Sequence, residues 1–123
     1  MRIILLSDDR IRFEGGPGGL SIEADSSERA YSPFHMVASG LATCVFSVLE
    51  SWGEQAGASS RDLALEIGWE FADGPRRVSR YEVVLEWPTL PENRRSAVAR
   101  AAALCPIHAT FETPPEISVE MAS

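Results

Sequence analysis

At 123 residues, 45% hydrophobic and 24% charged, the chain has the size and composition of one globular domain, residues 1–123. A formal net charge of −7 opposes phosphate backbones and anionic lipid surfaces, so neither nucleic acid nor membrane is expected as a partner. All eleven basic residues are arginine, which excludes Schiff-base chemistry on lysine and leaves guanidinium as the only permanent side-chain cation.

Ile3 to Leu6 reads as a first strand, and Ile11 and Phe13, alternating with Arg12 and Glu14, as a second across an Asp8-Asp9 turn. The first apolar run is too short for a signal-peptide core and no cleavage site follows it, so a cytoplasmic location is expected. Later apolar runs are broken before membrane-spanning length. Gly15 to Gly19 is a loop tip; it lacks the lysine and following helix of a phosphate-binding loop. Leu20 and Ile22 alternate with Ser21 and Glu23 on a third short strand.

Ser32-Pro33 predicts a helix start, serine as N-cap and proline at the first helical position, where its missing N–H costs nothing. Phe34, Val37, Leu41, Cys44, Val48 and Trp52 recur at spacings of three and four, one apolar stripe. Met36, Gly40, Val45 and Leu49 widen it, Ser39, Ser47, Glu50 and Glu54 oppose it, and Gly57 is the expected stop. Leu63 to Phe71 and Tyr81 to Trp87 alternate apolar and polar residues on either side of Ala72-Asp73-Gly74-Pro75, which predicts a hairpin. Thr89-Leu90-Pro91-Glu92 has the form of a capping box before an alanine-rich helix reaching about Leu104. Pro106 disfavours helical geometry at Cys105 and can itself open a short helix through Phe111, which puts Cys105 at its N-cap. Ile117, Val119 and Met121 alternate with Ser118 and Glu120 on a last strand. The order β-β-β-α-β-β-α-α-β is that of an α+β domain, not a doubly wound sheet.

Two cysteines in a reducing compartment are buried filler, metal ligands or redox groups. At a helix N-terminus Cys105 would have its thiolate stabilised by free N–H groups. Cys44, mid-helix on the apolar stripe, reads by itself as a small hydrophobe unless the fold brings it a cation; the candidates are Arg10, Arg12 and Arg29, then Arg76, Arg77 and Arg80. His35 and His108 read as partly exposed helix residues. Together with the two cysteines they could also make a tetrahedral metal set, though the paired spacing of structural zinc sites is absent around Cys44.

Ser32-Pro33, followed by a helix of small and apolar residues through Ala42-Thr43-Cys44, resembles the first signature of the OsmC/Ohr family of thiol-dependent peroxidases. Leu104-Cys105-Pro106-Ile107-His108 resembles the second. The resemblance implies an OsmC-like fold, an antiparallel-rich sheet with a long central helix, in an intertwined homodimer. It further implies that Cys44 attacks an organic hydroperoxide and becomes a sulfenic acid, that Cys105 condenses with it, and that an external thiol or dithiol restores both, with no cofactor or metal. The apolar setting of Cys44 favours an alkyl or lipid-derived peroxide. In the family an N-terminal arginine, held by a glutamate just after the helix-opening proline, stabilises the thiolate. This chain has Phe34 in the glutamate's place, with His35 next, as in a divergent branch of the family. That departure favours the alternative, a non-catalytic OsmC-fold dimer binding a small apolar or thiol ligand.

Overall fold

The computed structural model describes residues 2–7, 10–14, 21–23 and 33–123. Strands β1 (Arg2–Ser7), β2 (Arg10–Glu14) and β3 (Ser21–Glu23) precede the long helix α1 (Pro33–Ala56). Then come β4 (Ala64–Ala72), β5 (Arg77–Glu86), a 3-10 turn (Glu92–Arg94), α2 (Arg95–Ala102) and α3 (Pro106–Glu112). The five strands form one mixed sheet in the order β3-β1-β2-β4-β5. β1 pairs with β3 in parallel, and the other three ladders are antiparallel. The α+β class and the predicted order therefore hold as far as α3. The expected N-cap Ser32 and the Gly15 to Gly19 loop lie outside the described residues.

β4, paired on both edges with β2 and β5, has the cleanest alternation. Leu63, Leu65, Ile67 and Trp69 are buried, while Glu66 and Glu70 face the other way. Leu65 sits opposite Phe13 on β2 and Leu85 on β5, and Ile67 opposite Ile11 and Val83, so the sequence alternation fixes the register. Gly74, with φ +76°, supplies the left-handed residue that the hairpin turn requires.

α1 lies across this face, and its core side differs from the predicted stripe. Ala38, Leu41, Ala42, Val45, Phe46 and Leu49 are buried, whereas Phe34 and Val37 are 41% and 42% exposed. Small residues on the Ala38–Ala42 side let the helix approach the sheet closely, so that side wins over the bulkier one. Ser39, expected on the solvent side, is buried, and its hydroxyl donates to the His35 carbonyl at 2.7 Å. His35 is likewise buried rather than exposed, its ring edge-on to Trp69 at 5.2 Å. By length and composition α1 could also cross a membrane; here its buried side carries the domain core.

Two further expectations give way. Thr89 does not cap a helix: its amide and hydroxyl both donate to the Asp62 carboxylate, at 2.7 and 2.8 Å. Pro91, extended at ψ 141°, is the residue that precedes the 3-10 turn, and no side chain caps that turn. The last strand does not form. Residues 114–123 have no regular structure, and Ile117, Val119 and Met121 are 81%, 93% and 95% exposed. A strand needs a neighbour for its backbone groups, and this segment pairs with no strand among the described residues.

Candidate active site

Cys105 is the N-cap of α3, with Pro106 at the first helical position, as the Cys-Pro pair predicts. Its side chain is fully buried, and its Sγ accepts the His108 backbone N–H at 3.4 Å. Cys44 is half-buried on α1, packed against the core. The fold makes the two thiols neighbours, close enough that Cys44 helps to raise the Cys105 thiol. Both are free thiols. Sixty residues of sequence separate them, and it is the packing of α3 against α1 that closes the distance.

The electrostatics of Cys105 run opposite to the local expectation. Burial pushes its thiol pKa up, the neighbouring Cys44 adds to the rise, and the N–H groups of His108 and Ile107 oppose it without prevailing. Cys105 therefore holds its proton more tightly than an ordinary thiol.

Beside the pair lies a groove of about 520 Å³ between α1, β5, α2 and α3. Its apolar lining includes Leu41 and Val45 from α1, which flank Cys44 in sequence, Ala102 and Ala103, and Tyr81, Val83 and Leu85 from β5. Tyr81 stacks on Phe111 with ring centres 5.5 Å apart. Burial raises the Tyr81 hydroxyl above the usual tyrosine value, so it stays a neutral phenol. The groove's polar end is His108 and Glu112, whose Nε2 and Oε1 are 2.7 Å apart. Sequence reading named neither the groove nor Glu112; the i, i+4 spacing from His108 was the available signal for the latter.

Several expected residues stand elsewhere. Arg12 forms a two-point pair with Glu86, at 3.2 and 2.5 Å, and holds that carboxyl below the usual glutamate value. Arg76 binds Asp73 and covers the Phe71 ring, Arg77 donates to the Asp73 and Pro75 carbonyls, and Arg80 lies 4.0 Å from Glu82. Arg29 and the Arg10 side chain lie outside the described residues. Phe34 packs edge-on against Phe71 at 4.9 Å, so an aromatic pair stands where a carboxylate would orient an arginine. Among the described residues no three metal-ligating side chains converge. His35 meets Trp69 and His108 meets Glu112, so the histidines do not join the cysteines in one ligand set.

Residues 24–120 match the family model described as OsmC-like protein. Among solved structures, the chain is similar to a Psychrobacter arcticus protein described as an osmotic stress induced and detoxification response protein. The two share 17% identity at a TM-score of 0.63, over 88% of this chain and 84% of that one. It is equally similar, at a TM-score of 0.63, to an OsmC-like hydroperoxide resistance protein from Jannaschia sp. CCS1. There the identity is 20%, over 81% of this chain and 72% of the other. No curated protein matches the chain.

Proposed function

The chain belongs to the OsmC-like family, and from that premise we propose that it is a thiol-dependent peroxidase that reduces organic hydroperoxides through Cys44 and Cys105. The observation that carries this reading is the juxtaposition of two free thiols, from elements sixty residues apart, near an apolar groove. By the family resemblance Cys44 is the attacking sulfur, and the raised Cys105 thiol suits the resolving role. In the first step an S–O bond forms to the terminal oxygen of ROOH, the O–O bond breaks, and the alcohol leaves with a proton. Cys44 is then a sulfenic acid. The Cys105 thiol condenses with it, releasing water and forming a disulfide, and an external thiol or dithiol reduces that disulfide. The apolar lining of the groove favours alkyl or lipid-derived hydroperoxides over hydrogen peroxide.

Stopped-flow consumption of cumene hydroperoxide with a dithiol present tests this. The wild type turns over, Cys44→Ser does not, and Cys105→Ser is oxidised once without forming the intramolecular disulfide. Absence of cysteine-dependent consumption in the wild type overturns the reading. The aromatic Phe34–Phe71 pair in the glutamate's place favours a second reading, a binding protein for a small apolar or thiol ligand. Ligand-induced thermal stabilisation unchanged in Cys44→Ser, with no peroxide consumption, would select it.

The working unit is proposed to be a homodimer in the cytoplasm. Two observations support a second copy: the half-exposed Phe34–Val37 side of α1, which continues to Cys44, and the uncovered apolar alternation of Ile117, Val119 and Met121. A helix apolar on most of its circumference is stable in water when more than one side is covered.

A further inference from the structure

The O–O cleavage step needs more than a thiolate. The electron pair that leaves goes onto an alkoxide, a poor leaving group unless it is protonated as it departs. The groove beside the cysteines holds three groups that could take part in proton transfer: Tyr81, His108 and Glu112. Among the described residues its lining includes no arginine.

His108 is the one tied to the sulfur pair. Its own backbone N–H donates to Cys105 Sγ, and Cys105 neighbours Cys44, so the imidazole is carried on a residue that touches the pair. Its Nε2 is held at 2.7 Å by Glu112, one helical turn on, and that fixes the ring while leaving Nδ1 as the second proton-bearing nitrogen. The side chain is 41% exposed, so the ring can recover a proton from water between turnovers. Tyr81, by contrast, is occupied in a face-to-face stack with Phe111, and burial holds its proton tightly.

We propose that His108, oriented by Glu112, is the acid that protonates the departing alkoxide of the hydroperoxide. The inference rests on the peroxidase reading above. The Cys44 thiolate attacks the terminal oxygen of ROOH, the S–O bond forms, and the O–O bond breaks with its electron pair on RO⁻. Sulfur is oxidised by two electrons and the peroxide reduced by two. The His108 imidazolium gives its proton to RO⁻, ROH leaves, and the imidazole is reprotonated from solvent.

The test compares two oxidants in stopped-flow oxidation of the reduced protein. Cumene hydroperoxide expels an alkoxide and needs the proton; peroxybenzoic acid expels a carboxylate and does not. His108→Gln is expected to slow the second-order reaction with cumene hydroperoxide about 100-fold and to change the peracid reaction by no more than about threefold, the scale of one general acid. Glu112→Gln shows a smaller loss with the same selectivity. The peracid rate also reports that the variant is folded with Cys44 intact. Equal loss with both oxidants, no loss with either, or selective loss in Tyr81→Phe instead of His108→Gln overturns the proposal and leaves the peroxidase reading standing. A wild type inert to both oxidants ends both.

Discussion

Cys105 shows two opposing effects on one sulfur. Backbone N–H groups at the start of α3 favour its thiolate, while burial and the contact with Cys44 favour the thiol, and the second set wins. The folded protein therefore binds this proton more tightly than the unfolded chain. Stability drawn from it is complete below the ordinary thiol value and is lost as pH rises through the raised one. The thermal midpoint of the reduced protein should fall from about pH 8 to about pH 10, across and above the ordinary thiol pKa of about 8.5, and the fall should be shallower in Cys105→Ala. An equal slope in the two proteins would remove Cys105 as the cause. The N-cap itself was legible in the sequence, because Cys-Pro constrains its own backbone. The direction of the pKa was not, because the burial comes from tertiary packing, including that of α3 on α1, and no local pattern reports it. The same holds for Thr89: its Thr-x-x-Glu spacing promised a capping box, yet Asp62, 27 residues earlier, takes both of its donors.

At the scale of elements, α1 is held most firmly where it stops. Gly57 adopts φ +72°, and Ala58 N–H reaches back to the Gly53 carbonyl at 2.8 Å, closing the last turn. Arg94 donates to the Ala56 carbonyl at 2.6 Å, so the turn before α2 satisfies another of α1's terminal groups. A methyl group on Gly53 would lie 2.8 Å from the Ala58 carbonyl oxygen and 3.1 Å from the Trp87 ring. Trp87 cannot retreat freely, since its indole N–H is bonded to the Ser59 carbonyl at 2.9 Å. Gly53→Ala should cost about 1–3 kcal/mol by overpacking, and Gly57→Ala about 1 kcal/mol through the left-handed backbone. Urea unfolding checks both; a Gly53→Ala midpoint at or above that of the wild type would mean that the helix end yields. The stop at Gly57 and the alternation in β4 and β5 were readable because each depends on neighbouring residues. The facing of α1 was not, since a helix apolar nearly all round offers several stripes and only the sheet's shape chooses among them.

For the whole molecule, the proposed dimer would have to cover the exposed apolar residues of α1 and of the tail. Placing a charge in the tail tests it. Val119→Asp should shift the protein from dimer to monomer in size-exclusion chromatography with light scattering, while the Ala64–Glu86 hairpin, which Val119 does not touch, stays intact by circular dichroism. A wild type that is already monomeric, or a variant that stays dimeric, would remove the tail from the interface. Element types and order were legible over most of the chain, whereas the alternation of Ile117, Val119 and Met121 reads as a strand although the segment forms none here. The tail also carries a hazard. Alternating Ile117, Val119 and Met121 offer an unpaired backbone to any free sheet edge, a route to aggregation as much as to assembly. Pro114 and Pro115 have no N–H to extend such a ladder, and Glu116 and Glu120 bring like charges into register wherever two tails stack in parallel. Those four residues act as gatekeepers, making self-stacking unfavourable while leaving the apolar side chains available to a correctly shaped partner.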